Sequence, residues 1–288
     1  MSDFLELFAR VIPNAVPYVL AALCGVVTER SGLIDLALEA KLLFGAFAAA
    51  AIAYATGSLY LGIAAGAVAG AIVAAVQTGF ALTLRADQIV VGIGLNIVAF
   101  AGTRLLLQLV YHEGANSPQI VGFGSALLAN PAVWIAAIAA VAVPFALTRT
   151  RWGLRLRAAG DRPDALRAAG VSPARARLWA AMIGGALAGV GGAHLSLRGT
   201  GFVSDMSNGR GYMALAMVIL AGWRPGIAAL ACVGVAIAET VSHMLQNAYG
   251  REIPPDLVVL LPYVVTLAVL AIFGGRGQPP KALGKIEG

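Results

Sequence analysis

Charge is scarce in this chain: 20 basic and 14 acidic side chains make up 12% of 288 residues, against 59% hydrophobic residues. A soluble domain carries about twice that charged fraction, so a surface that faces water on all sides is excluded. Cysteine is limited to Cys24 and Cys232, each inside an apolar run, which excludes a disulfide framework and a thiolate metal site and leaves both as expected packing residues. GxSxG, Walker A and HExxH patterns are absent, so nothing supports catalysis or ATP binding by this chain. The beginning, MSDFLELFARVIP, is acidic and lacks both a basic n-region and a small-residue cleavage site, so it does not read as a cleaved signal peptide. The net charge of +6 and pI near 9.7 do not imply nucleic acid, because the basic residues sit in one loop and at segment ends instead of on a polar face.

What the chain has in abundance is apolar sequence of spanning length, with a mean hydropathy of +0.84. A bilayer core takes about 20 apolar residues per helix. On that yardstick the runs fall near 11–28, 36–56, 58–84, 88–111, 131–148, 178–198, 212–222, 227–247 and 257–274, about nine membrane elements in one all-α transmembrane domain over 1–288. The run at 212–222 is too short to cross alone and ends at Trp223-Arg224-Pro225-Gly226, so a short or broken helix is expected there. Eight of the 20 basic residues lie between Arg149 and Arg177. Such loops stay on the cytoplasmic side, which places 112–130, a stretch without Lys or Arg, outside. By the same counting Arg85, Arg276, Lys281 and Lys285 fall inside and the N-terminus outside.

Halves near 11–111 and 178–274 carry a weak repeat, with Gly32, Leu38 and Gly45 laid on Gly209, Leu215 and Gly222, and Gly62 and Gly70 on Gly226 and Gly234. One extra crossing at 131–148 and the basic loop separate them, so the second half enters from the opposite side, as in transporters with a site near the midplane. Chance matching of Ala-, Gly- and Leu-rich segments is the alternative. Gly62, Gly66 and Gly70, together with Gly184, Gly185, Gly189, Gly191 and Gly192, give the small-residue spacing that lets membrane helices approach closely.

Glu29-Arg30-Ser31-Gly32-Leu33-Ile34-Asp35-Leu36-Ala37-Leu38-Glu39, followed by Gly45-Ala46-Phe47, resembles the ERSGxxNxGxEG…GAF segment of the ABC-transporter permeases for nucleosides and simple sugars, within the branched-chain amino acid and ribose-type permease superfamily. Further blocks agree in order: Asp87 to Gly92 leading to Leu95-Asn96; Trp152 to Ala158 with Gly160, Pro163, Ala165 and Gly170; Gly209-Arg210-Gly211-Tyr212 with Trp223 and Pro225; Ile253-Pro254-Pro255; and Leu261-Pro262-Tyr263. The resemblance implies a multi-pass subunit of the bacterial inner membrane that pairs with a larger sister permease. It also implies a cytoplasmic ATPase, which uses ATP and Mg while this chain binds no cofactor, and an extracytoplasmic substrate-binding lipoprotein.

The chain departs from the family segment at Asp35, Ala37 and Ala40, and has Lys41 where an apolar residue is usual. Asp35 and Glu39, four apart, are expected on one helix face with Lys41 turned away; they either touch substrate or, with Glu29, Arg30 and Lys41, form a structural ion-pair cluster. Asn96 and Gln77 are candidates for the pathway or for interhelical hydrogen bonds. His194 and Ser196 place polar atoms on another apolar helix. Glu239, Ser242, His243 and Gln246 fall at i, i+3, i+4 and i+7, one stripe that either lines a pore or seals a polar seam. Two ligands without a partner cluster do not make a metal site.

In the basic loop, Asp161 to Gly170 has the marks of a short helix, with Asp161 as cap, Pro163 in the first turn and Gly170 at the end. By resemblance this is the coupling helix that docks on the ATPase, with Gly153, Arg157, Gly160, Asp161, Pro163, Ala165, Leu166 and Gly170 as its residues. Replacing Leu166 or Gly170 is then expected to uncouple ATP hydrolysis from uptake. A topogenic loop that serves only orientation is the alternative. The cargo expected is a nucleoside, with a simple sugar or riboflavin-like vitamin as runner-up. The rival of another class is an ion-driven secondary transporter using Asp35, Glu39 or Glu239.

Overall fold

A computed structural model of the chain describes residues 2–123, 129–249, 260, 263, 264, 266, 267 and 277–285. Among them it forms ten helices: α1 Ser2–Arg30, α2 Leu38–Thr56, α3 Leu59–Thr83, α4 Gln88–Tyr111, α5 Pro131–Arg149, α6 Arg151–Asp161, α7 Pro163–Ala168, α8 Pro173–Ser196, α9 Arg210–Leu220 and α10 Pro225–Tyr249. Seven are long and apolar enough to cross a membrane, and α9 is the short apolar helix expected from the run at 212–222. The run at 257–274, Arg276 and the Ile253-Pro254-Pro255 block lie largely or wholly outside the described residues.

Helix boundaries follow local chemistry. Asp87 Oδ1 accepts from the backbone N–H groups of Ile89 (2.8 Å) and Val90 (3.1 Å), starting α4, and Asn130 Oδ1 accepts from Ala132 at 2.9 Å to start α5. Thr150 Oγ1 accepts from Gly153 N and opens α6 directly after α5. α7 ends at Gly170 (φ +75°), with Gly170 N bonded to Arg167 O and Val171 N to Leu166 O, a Schellman ending that satisfies the last carbonyls.

α1 is the centre of the bundle, with Leu20 to Cys24 and Val26 fully buried. A helix walled in on every side can be apolar all round. Pro17 has no N–H to give to the carbonyl of Pro13 one turn earlier. That carbonyl is met instead by His194 Nε2 at 2.9 Å, which fixes Nε2 as donor and leaves Nδ1 to accept from Asn130 Nδ2 at 3.0 Å. α2, α3 and α8 meet through glycines. A Cβ at Gly66 or Gly70 would run into the backbone of Gly189 or Gly185, and one at Gly192 into the carbonyl of Leu42. In lipid, where apolar burial does not drive helices together, such backbone contact is what holds them.

The pattern of irregular segment, helix and helix occurs in both halves, at 31–37 with α2 and α3 and at 197–209 with α9 and α10. The glycine pairing does not fall on equivalent places. Gly32 lies six residues before α2, whereas Gly209 directly precedes α9. Gly70 is packed on α8, whereas Gly226 and Gly234 have open space where a side chain would be.

Candidate functional site

Two stretches of irregular backbone enter the bundle. α9 has 11 residues, about 16 Å of rise, too short to cross a bilayer core, so its N-terminus starts at depth within the bundle while Trp223, just past its other end, bonds the Glu29 carboxylate near the end of α1. Backbone without helical partners is tolerated at that depth only when other groups satisfy it.

The segment 31–37 is satisfied by side chains from three helices. Gln88 Oε1 accepts from Ile34 N (2.6 Å) and Gln77 Nε2 donates to Ile34 O (3.2 Å), while Glu29 Oε1 accepts from Asp35 N (3.3 Å). Asn96 contributes most. Its Oδ1 accepts from Ala40 N (2.9 Å), an orphan donor in the first turn of α2, and its Nδ2 donates to Leu36 O (2.8 Å) and to the Tyr212 hydroxyl (2.9 Å). Ala37, the residue at the N-cap position of α2, has no side-chain cap of its own, and α4 supplies one.

Glu39 does the same for α9. Fully buried, its Oε1 accepts from Gly209 N (2.8 Å) and its Oε2 from Gly211 N (2.6 Å), so a carboxylate sits on the positive end of the α9 dipole. Gly211 must be glycine here, because a Cβ would press on Glu39 itself. Asp35 precedes α2 instead of sharing a helix face with Glu39. Lys41 turns toward Asp35, not away, and the pair closes at 2.5 Å with no solvent access on either side chain. Cys24 Sγ lies 3.5 Å from Asp35 Oδ2, so this cysteine joins a polar cluster as well as packing. Glu29, which also accepts from Asp35 N, and Arg30 meet Trp223, which donates its indole N–H to Glu29 and accepts from Arg30 Nε through its carbonyl.

The polar stripe of α10 divides. Glu239 Oε1 pairs with Arg210 Nη2 at 2.6 Å, and Ser242 is buried with its hydroxyl returned to Ala238 O. His243 faces outward, 58% exposed, and Gln246 is half-buried. Glu239 Oε1 also lies 3.9 Å from His243 Nε2, so the stripe runs from the buried Ser242 to the exposed His243. Arg210 also lies over the Tyr18 ring at 5.8 Å, a cation–π contact next to its ion pair.

Polar groups that sequence reasoning missed gather on the flank where α9 begins. Arg104 of α4 pairs with Asp205 and bonds Ser204 Oγ at 2.8 Å, and a recess of about 390 Å³ opens among Phe100, Arg104, Asp205, Asn208 and Gly209. Asp205 Oδ1 and Ser207 Oγ are buried there without partners among the described residues. Tyr212, half-exposed, borders the same flank. The available signal was Arg104 itself, a lone basic residue interrupting an apolar run.

In the basic loop, α7 is the short helix expected between Asp161 and Gly170, and α6 precedes it. Asp161 does not cap α7: it ends α6, and its Oδ1 accepts from Lys281 N at 3.3 Å, leaving Arg162 at the α7 cap without a side-chain bond. Pro163 takes the first turn as expected. Leu166 points inward, 5% exposed, so it anchors α7, and the outer face belongs to Asp164, Ala165, Arg167 and Ala168. Gly153 and Gly160 lie where a side chain would strike Ala146 O and Arg30 O, and Arg157 is half-buried, its Nε without a partner among the described residues. The C-terminal residues return to this surface through Ala282 N to Gly160 O (2.8 Å) and Gly284 N to Gly32 O (3.0 Å).

Residues 7–270 match the family model described as branched-chain amino acid transport system / permease component. The nucleoside ABC transporter permease protein NupC of Lactococcus lactis subsp. cremoris is 31% identical over 96% of this chain and 94% of its own length. The guanosine ABC transporter permease protein NupQ of Bacillus subtilis is 28% identical over 98% and 97%. The glucose ABC transporter permease protein TsgB13 of Haloferax volcanii is 26% identical over 91% and 75%. No solved structure matches the chain. With its broken helices packed through glycine and closed by side-chain caps, and with the family model covering nearly its whole length, this multi-pass membrane protein belongs to the branched-chain amino acid transport system permease component family.

Proposed function

We propose that the chain is the membrane-spanning permease subunit of an ATP-driven importer whose cargo is a nucleoside. The observation that carries the cargo is near-full-length similarity to permeases named for nucleosides and guanosine. Cargo passes along the flank where α4 meets the start of α9. There Arg104, Asp205 and Asn208 line a recess within the size range of small-molecule sites, with Tyr212 beside it and Asn96 buried behind, its amide committed to Ala40, Leu36 and Tyr212. Only 22% of the apolar window of α4 is buried, against 83% for α1, which leaves this flank open to a second permease subunit. Ala165 and the outer face of α7 meet the ATPase, an extracytoplasmic binding protein delivers the cargo, and the complex sits in the bacterial inner membrane.

A simple sugar is the second reading, favoured by the glucose permease among the relatives. An ion-driven mechanism has less support, because each candidate carboxylate is engaged: Asp35 by Lys41, Glu39 by two backbone N–H groups, and Glu239 by Arg210. The test is uptake of labelled nucleosides and sugars by cells carrying this chain with its neighbouring genes, with and without a hydrolysis-dead ATPase. Uptake that vanishes with the dead ATPase and is confined to nucleosides is expected. Uptake that persists but collapses with the proton gradient would refute the mechanism.

A further inference from the structure

A second recess, about 520 Å³, opens on the side of the basic loop between α6 and α8, bounded by Trp152, Arg155, Arg175, Trp179 and Ile183. Arg175, Trp179 and Ile183 are spaced i, i+4, i+8 on α8 and so share one face. At 1.5 Å per residue they span about 12 Å along the helix from Arg175 to Ile183, in the order guanidinium, indole, aliphatic side chain. That is the order a phospholipid presents from phosphate through the ester region to acyl chain, and tryptophan is the side chain that collects at the interface level.

The electrostatics agree. Arg155 reaches the recess from α6 opposite Arg175, no acidic residue lines it, and neither guanidinium has an ion pair or hydrogen bond among the described residues. Trp179 is 58% exposed and Leu154, next to Arg155, 61%, so the apolar border faces outward where the hydrocarbon would be. Two unpartnered cations at the cytoplasmic end of a spanning helix, above an exposed aromatic and aliphatic stripe, attract an anionic headgroup.

We propose that this recess binds the headgroup of an anionic phospholipid of the cytoplasmic leaflet, its phosphate between Arg155 and Arg175 and its acyl chain along Trp179 and Ile183. Gly170, Val171 and Ser172, the turn between α7 and α8, form another wall. The bound lipid therefore fills the angle between α7 and the bundle, and holds the loop helix at a fixed inclination.

The test uses the intact transporter complex purified in detergent, titrated with phosphatidylglycerol or phosphatidylcholine and read by native mass spectrometry. The Arg155→Gln/Arg175→Gln variant is compared with Arg162→Gln/Arg167→Gln, which removes the same charge from the same loop. We expect phosphatidylglycerol binding to weaken about tenfold or more in the first variant and to change little in the second, with phosphatidylcholine bound weakly throughout. Equal loss in both variants, no loss in either, or displacement of the lipid by millimolar inorganic phosphate would overturn the assignment. Phosphatidylglycerol brominated along its acyl chains gives an independent readout. It should quench tryptophan fluorescence in the otherwise unaltered chain, and Trp152→Phe/Trp179→Phe, which removes both tryptophans of the recess, should abolish most of that quenching; undiminished quenching would place the lipid elsewhere.

Discussion

Replacing Glu39 with glutamine separates a structural cap from a substrate ligand. The carboxylate accepts from Gly209 N at 2.8 Å and Gly211 N at 2.6 Å, with no solvent access. Hydrogen bonds to a charged group are worth about 1.5–3 kcal/mol each. Glutamine keeps one acceptor but turns an NH2 toward the other backbone N–H, so one bond is lost, a donor is left buried and the charge on the α9 dipole disappears. Together these predict a loss of about 2–4 kcal/mol, or roughly 5–15 °C in the melting temperature for a chain of this size. The assays are thermal unfolding of the purified complex in detergent and substrate-dependent uptake at several concentrations. The cap predicts a large fall in melting temperature and a fall in active protein at unchanged KM. A variant with wild-type stability and a raised KM would refute this reasoning and return Glu39 to the substrate path.

The buried pair supplies a cycle: Asp35→Asn or Lys41→Met alone strands a charge and should cost about 3–5 kcal/mol, whereas the double substitution should recover most of that loss. Equal melting temperatures for the single and double variants would show that the two side chains do not act together. On α7, Ala165→Arg should abolish uptake and its coupling to ATP hydrolysis while leaving the melting temperature within a degree or two, because Ala165 faces outward. Leu166→Ala, by contrast, should act through stability, losing about 2–4 kcal/mol of packing. If Ala165→Arg transports normally, the outer face of α7 is not where the motor grips.

The helices and the short α9 were legible because apolar length and Pro-Gly punctuation act locally. The site was less so, for physical reasons visible at particular residues. Asp35 and Glu39 were assigned one helix face because their spacing is four, but the helix begins at Leu38, and nothing near Asp35 in sequence signals that the polar groups meeting this segment come from Gln77, Gln88 and Asn96, some 40 to 60 residues away. The α10 stripe had the right periodicity for a shared face. Arg210, from another helix, takes the Glu239 carboxylate at 2.6 Å, with His243 Nε2 farther off at 3.9 Å. Leu166 was placed on the docking surface by its position in a motif, whereas its side chain fills the space beneath α7.

Segment 31–37 has a mechanical consequence. Its backbone is tied at once to α1 through Glu29, to α3 through Gln77 and to α4 through Gln88 and Asn96. These bonds span 2.6–3.3 Å, and a hydrogen bond beyond about 3.5 Å is no longer one, so a displacement of a few ångströms of any of the three helices leaves a carbonyl or amide without its partner. Segment 31–37 thus couples α1, α3 and α4 by hydrogen bonds as well as by packing, and any movement of one of them past the others has to break these bonds.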